Sequence, residues 1–122
     1  MKVQTPFGEA DLVVMVPGLP LKDLDLLEKS ADHSCNVIVT STLVLAVNKM
    51  RQTATFINNS DVVIFLRLGA AAAVNTGKPL NANGGSFEIN KSNMWKGDVY
   101  AIHGGTGDKV LCIEEVESRY AY

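Results

Sequence analysis

The sequence TATFINNSDVVIFLRLG, residues 53–69, contains two short runs rich in Thr, Val, Ile and Phe, with Asn58, Asn59, Ser60 and Asp61 between them. β-Branched and aromatic residues on either side of turn-forming residues are typical of a tight antiparallel hairpin. The second run is apolar on nearly both faces, which predicts a central strand covered on each side. A helix is the alternative for so short a run, but its Val, Ile and Phe content favours a strand. We expect this hairpin to form the centre of the core.

Further short strands are predicted from residue 37 onward. Residues 37–47 alternate with a period of two and predict one long strand, or two shorter ones broken near residues 40–42. Residues 70–74, mostly alanine, are too short for an independent helix and predict a loop or a poorly filled edge strand. Strands separated by Gly- and Asn-rich turns are also expected at residues 86–89, 98–103 and 109–117. Six or seven such strands predict an all-β protein, a small antiparallel β-sandwich or barrel.

The alternation within each run also predicts which side chains are buried. In a strand, successive side chains point to opposite faces, so the apolar positions of one face should meet in the core. The expected core comprises Phe56, Ile57, Ile64, Leu66, Val99, Ile102, Leu111 and Ile113.

The N-terminal segment differs from the rest of the chain. Residues 1–20 contain three of the four prolines, and proline is excluded from central strands, yet residues 12–16 (LVVMV) are strongly apolar. We expect either an edge strand of the same domain or an extended arm that buries itself against another subunit or a larger partner. The predicted partner interface comprises six apolar residues, Leu12, Val13, Val14, Met15, Val16 and Leu19.

The domain organisation follows from these patterns. Leucines at helical spacing in residues 21–30 predict a short amphipathic helix that connects the arm to the core. A polar loop is expected at residues 31–36. The chain is therefore divided into an arm with its connector helix (residues 1–36), a β-sandwich core (residues 37–117) and a tail (residues 118–122).

Length and composition restrict the possible functions. The chain has 122 residues, 47% hydrophobic and 20% charged, which fits one folded domain. Its formal net charge is -2 and its basic residues are scattered, so no nucleic-acid partner is expected. No signal peptide is expected, and no apolar stretch reaches the roughly 20 residues of a membrane span. Cys35 and Cys112 are interpreted as reduced thiols of a protein made in the cytosol, although they could pair.

No catalytic motif stands out. Residues 103–105 (HGG) are similar to the oxyanion-hole segment of some esterases, but the Gly-x-Ser-x-Gly motif that this mechanism needs is absent. Residues 104–108 are glycine-rich, but no helix follows to hold a phosphate, so they predict a hairpin turn. Adjacent carboxylates on a strand point to opposite faces, so Glu114, Glu115 and Glu117 are interpreted as a solvated strand end. We expect no enzymatic activity.

Metal and sugar binding are also weakly supported. None of the soft ligands His33, Cys35, His103 and Cys112 stands at zinc-finger spacing, so no metal or other cofactor is expected. Trp95 with Tyr100 could form a platform for a sugar, because aromatic rings offer flat apolar faces with polar tips. Packing in the core or in an interface is the favoured interpretation of both rings.

Five segments follow one another between residues 43 and 117: NKMR (48–51), TFINNS (55–60), VIFL (63–66), GKPLNANGGSFE (77–88) and WKGDVYAI (95–102), and the strand that ends at Glu114 closes the series. In this order they resemble small virion proteins of tailed bacteriophages, which decorate or cement the head or form head fibres. The resemblance covers roughly three-fifths of the chain and carries no catalytic residues. Residues 1–36 lie outside it.

The resemblance implies a non-enzymatic structural protein that binds the capsid surface and reinforces the head. Its partners would be the major capsid protein and further copies of itself, most commonly in a trimer, with no nucleic acid and no membrane. It would be made in the bacterial cytoplasm and would reside on the virion. The alternative is a tail, baseplate or fibre module that binds a host-surface glycan or another virion protein.

Overall fold

The computed structural model describes residues 29–118, which form nine β-strands and no helix. The strands are β1 (Lys29–Asp32), β2 (Cys35–Val37), β3 (Thr42–Leu45), β4 (Arg51–Asn58), β5 (Ile64–Leu68), β6 (Lys78–Leu80), β7 (Ser86–Ile89), β8 (Val99–His103) and β9 (Lys109–Glu117). The all-β prediction is confirmed, and the expected strands at 86–89 and 109–117 coincide with β7 and β9. No helix in this range could cross a membrane.

The strands form two antiparallel sheets that face each other as a β-sandwich. In the five-stranded sheet, β1 and β2 pair with one side of β9, while β4 pairs with the other side and β7 follows β4. The four-stranded sheet has the order β3-β8-β5-β6. β6 and β7 approach each other across the sandwich, where the Lys78 ammonium lies 4.9 Å from the centre of the Phe87 ring.

The predicted central hairpin is wrong, because β4 and β5 belong to opposite sheets. Asn58, at the end of β4, is fully buried. Its Nδ2 donates hydrogen bonds to the carbonyl oxygens of Val62 (2.7 Å) and Leu80 (2.9 Å). These bonds hold a connection that crosses from one sheet to the other. Residues 104–108 likewise join β8 to β9 across the sandwich, so they are not a hairpin turn.

The core fills the space between the sheets. Seven of the eight predicted core residues are buried, at 8% exposure or less. Ile57 is 41% exposed and was predicted wrongly. In β4 the neighbouring Phe56 occupies the inward position, so Ile57 must point to solvent on the same side as Thr55.

The five-stranded sheet begins before residue 37, where the core was expected to start. Lys29 pairs with Glu117, and Cys35 pairs with Leu111. The predicted loop at residues 31–36 is therefore mostly strand, and the last two residues of the predicted connector helix lie in β1. The rest of that helix, the arm and the tail from residue 119 onward lie outside the described residues.

Of the two interpretations of residues 37–47, the one with two strands broken near residues 40–42 agrees with the structure, since β2 and β3 lie in different sheets. The alanine-rich stretch is a loop, as one of its two interpretations predicted. The Ala72 N–H donates to Ser41 Oγ at 2.8 Å, which ties this loop to the segment before β3. Ala72 and Ile102 are both buried, yet they lie outside the central core cluster.

Candidate functional site

The most prominent polar feature is a buried ion pair between Arg51 and Glu115. Arg51 is fully buried and Glu115 is 5% exposed. The Arg51 Nε donates to Glu115 Oε2 at 2.6 Å, a charge-assisted bond that joins β4 to β9. The other carboxylate oxygen, Oε1, lies 3.2 Å from His33 Nε2. The prediction that Glu115 is part of a solvated strand end is wrong.

The guanidinium of Arg51 also binds three backbone carbonyl oxygens. Nη1 donates to Trp95 at 2.7 Å and to Gly97 at 3.1 Å, and Nη2 donates to Ala46 at 2.7 Å. One side chain thus holds two loops against β4 and β9. The Arg51 guanidinium therefore has a structural role, because the hydrogen bonds that it donates go to acceptors of the protein itself.

The buried pair of Arg51 and Glu115 could not be predicted from the alternation of side chains along a strand. The pairing register of β4 and β9 shifts between Arg51 and Thr53, so a β-bulge lies at Gln52. A bulge inserts one residue and reverses which side chains face inward. Counting back from the inward Ala54 by twos reaches Gln52, whereas Arg51 is the buried residue.

Trp95 is used for packing, as favoured above. It packs against the core, and its Nε1 donates to the Asp98 carbonyl oxygen at 2.9 Å. A Cβ at Gly69 or at Gly97 would lie 2.9 or 2.8 Å from the indole ring, so only glycine fits beneath it. Tyr100 is half-buried on the outer face of β8, paired with Leu43 and Arg67. Packing, the favoured interpretation, is thus observed for Trp95.

His103 closes a turn and is fully buried. The Gly105 N–H donates to Nδ1 at 3.0 Å, so the ring proton lies on Nε2, which donates to the Gly107 carbonyl oxygen at 2.7 Å. Both ring nitrogens are engaged by residues of the same turn. The imidazole therefore has no nitrogen left over to act as a free base.

A groove of about 230 Å³ lies on the outer face of the five-stranded sheet. It is lined by Asp32, Ser34, Thr55, Ile57, Cys112, Ile113 and Glu114. Hydrogen bonds from Ser34, through its hydroxyl and its N–H, hold the pKa of the Asp32 carboxyl below its usual range. Within residues 29–118 no group of three or more His, Cys, Asp or Glu side chains could hold a metal ion.

The two cysteines are free thiols. Cys35 packs against the core, and burial raises the pKa of its thiol. Cys112 lies in the groove just described.

Exposed apolar side chains concentrate around β3. Eight large apolar residues are exposed among those described, and five of them lie within residues 38–50. We call these five the β3 strip; they are Ile38, Val39, Leu43, Val47 and Met50. The strip is the strongest candidate for a contact surface that the structure describes.

The six residues of the predicted partner interface, Leu12 to Val16 and Leu19, lie outside the described residues. The structure therefore does not test the predicted partner interface. Comparisons of the chain with protein-family models, with curated proteins and with solved structures find no match.

Proposed function

We propose that this chain is a non-enzymatic structural protein of a tailed-bacteriophage particle, which binds the capsid surface as a decoration or cement protein and reinforces the head. The proposal starts from the order of five sequence segments between residues 43 and 117. All five lie in strands of the sandwich or in the connections between them.

One observation carries the proposal. The strongest polar groups inside the protein serve the fold itself, since the Arg51 guanidinium binds Glu115 and three backbone carbonyls. Both ring nitrogens of His103 are likewise engaged by their own turn. A small sandwich built in this way acts through its surface. The exposed β3 strip and the apolar residues 12–16 are the parts suited to contact with a partner.

The proposed partners are the major capsid protein and further copies of the same chain, on the virion surface. The alternative, a tail or fibre module that binds a glycan, has less support. A glycan site would use exposed aromatic rings next to Asn and Asp side chains, whereas Trp95 packs against the core.

Sedimentation with empty heads tests the proposal. Purified chain is mixed with expanded heads that lack the protein, and the pellet is analysed after centrifugation through a cushion. We expect saturable binding in a fixed ratio to the major capsid protein, and heads that then withstand heating better. Absence of the chain from the pellet over the accessible concentration range would exclude a decoration role.

The proposed assembly is a homotrimer, and the number three comes from the resemblance alone. A domain of this size leaves much apolar surface uncovered, including the β3 strip. Multi-angle light scattering at micromolar concentration should give three times the chain mass of 13.1 kDa. The mass of a single chain would refute the trimer while leaving capsid binding to be judged by sedimentation.

A further inference from the structure

The two edges of the four-stranded sheet differ in how they are protected. β6 carries Lys78 and Pro79, residues that commonly blunt an edge against further pairing. β3 has the sequence TLVL, without Lys or Pro, and pairs only with β8 among residues 29–118. Leu43 lies in β3 itself, and the other four residues of the β3 strip lie in the connections directly before and after this strand. β3 is protected only by its short length and by the register shift between Leu43 and Leu45 in its pairing with β8, and an apolar edge that lacks Lys and Pro can still accept one more strand.

The N-terminal segment enters the fold beside this edge. Lys29 lines a groove of about 330 Å³ together with Leu45, Ala46 and Val47, at the end of β3. Residues 17–28 separate the apolar run at 12–16 from Lys29. Fully extended, they span up to about 40 Å, whereas a four-residue strand is only about 13 Å long. The run can therefore reach any point of the β3 edge within the same molecule.

Charge favours one direction of pairing. Glu9 and Asp11 immediately precede the apolar run. Lys49 follows β3, and the Lys96 ammonium donates to the Lys49 carbonyl oxygen at 2.9 Å. Antiparallel pairing brings the start of the run to the end of β3, so the two carboxylates come close to the two lysines. The same end also carries Lys29 and the carboxylates of Glu117 and Asp98, so three lysines and two carboxylates together leave one positive charge there. Parallel pairing would carry the carboxylates to the other end of the strand.

We propose that the edge of β3 binds residues 12–16 of the same chain as an added antiparallel strand. The short tether favours the same chain over a second copy, because it gives the run an effective concentration in the millimolar range. The inference concerns the protein free in solution and goes beyond the proposed function. Its tests contain no capsid, so their outcome is separate from that of the sedimentation experiment.

Disulfide trapping tests the contact. In a Cys35→Ala, Cys112→Ser background, Leu43→Cys is combined with Val14→Cys or with Met15→Cys. Neighbouring residues of a strand point to opposite faces, so one of the two pairs must be on the side of Leu43. After mild oxidation at micromolar concentration, we expect an intramolecular disulfide in most molecules of one pair. The control places the second cysteine on the opposite edge, as Lys78→Cys, and should give none.

Three outcomes would overturn the proposal. Disulfide-linked dimers would show that a second copy supplies the strand. The absence of any disulfide in both pairs would show that the edge is not occupied by this run. Equal yields with Leu43→Cys and Lys78→Cys would show that the segment samples both edges without preference.

Hydrogen exchange supplies an independent readout. Val13→Pro and Val14→Pro are introduced together, because one of two successive amides must face β3 and proline has no N–H to donate. We expect amides of residues 42–45 to exchange about tenfold faster than in the parent, which corresponds to loss of a local protecting contact. Amides of β6 and the thermal midpoint should not change. If the amides of residues 42–45 exchange at the same rate in the parent and in the double proline variant, the proposal is wrong.

Discussion

At Arg51, four hydrogen bonds from one guanidinium connect β4, β9 and two loops inside the sandwich. Taking the charges of Arg51 and Glu115 out of water is costly, and only their mutual contact and the surrounding acceptors offset that cost. The pair therefore fixes the arrangement of the loops more than it adds net stability. Removing one member of the pair should therefore destabilise the protein strongly.

Arg51→Ala should lower the free energy of unfolding by about 3–5 kcal/mol, because Glu115 is left as an uncompensated buried charge. Arg67, exposed on the outer face of β5, is the matched control, and Arg67→Ala should change stability by about 0.5 kcal/mol or less. Urea denaturation followed by tryptophan fluorescence measures both, since Trp95 accepts one of the lost bonds through its carbonyl. Equal effects of the two substitutions would contradict this account of Arg51.

Glu117 predicts a dependence of stability on pH. A hydrogen bond from Asn48 and, to a lesser degree, the nearby Lys29 hold the pKa of the Glu117 carboxyl below its usual range. As the pH falls, the carboxyl of Glu117 takes up a proton in the unfolded state before it does so in the folded state. The stabilisation of the folded state by ionised Glu117 is therefore complete above the unfolded pKa and is lost as the pH falls through the folded pKa. The free energy of unfolding should decrease between about pH 5 and about pH 3.

Asn48→Ala provides the comparison, because it removes the main cause of the shift. NMR titration should find the Glu117 pKa higher in this variant than in the parent, and the acid-dependent loss of stability should be smaller. An unchanged Glu117 titration in Asn48→Ala would show that Asn48 does not set it.

At the scale of the elements, the loop that follows β5 depends on Gly77. This residue has φ of 77°, and a Cβ there would overlap the Leu66 carbonyl oxygen. Gly107 has a nearly identical φ of 75°, but a Cβ there would meet nothing within 4 Å. The two positions therefore separate the cost of backbone strain from the cost of a steric clash.

Gly107→Ala should cost about 1–2 kcal/mol, the strain of a left-handed conformation for a residue with a Cβ. Gly77→Ala should cost clearly more, because the loop must also move away from the backbone of β5. Chemical denaturation of both variants measures the difference. Equal losses of the free energy of unfolding would show that the loop can move away from the backbone of β5 at no energetic cost.

Local patterns predicted where the strands lie but not which strands pair. A period of two identifies the inward side chains, as for Phe56 and Leu66, and those are buried. It does not reveal to which sheet a strand belongs, so two adjacent runs suggested a hairpin although β4 and β5 lie in opposite sheets. The strands β1 and β2 were missed because their residues are mostly polar and exposed. The buried ion pair was missed because the bulge at Gln52 changes which positions face inward.

For the whole molecule, deletion of residues 1–20 should separate folding from attachment. Burying five apolar side chains of the arm gains roughly 1.5 kcal/mol each, but fixing the backbone costs about 1–2 kcal/mol per residue. The two nearly cancel, so we expect a thermal midpoint close to that of the parent.

The truncated protein should nevertheless lose most of its binding to heads, because several arms on one oligomer act together. Calorimetry and sedimentation with heads measure the two properties on the same preparation. If the deletion unfolds the domain, the arm is a core strand and the attachment surface lies elsewhere. The loops around residues 70–83 are then the next surface to examine.

The position of β9 in the chain sets the point of synthesis at which the five-stranded sheet can be complete. The first two described strands, β1 and β2, pair only with β9, the last one, and β4 also borders it. Among the described strands, β1 and β2 have no partner during synthesis, and β4 can pair only with β7, until β9 has left the ribosome. Pairing between such distant parts of a chain is slow and leaves apolar strands uncovered meanwhile. The four-stranded sheet, complete at His103, can assemble earlier, and the sandwich closes only after translation has passed its last strand.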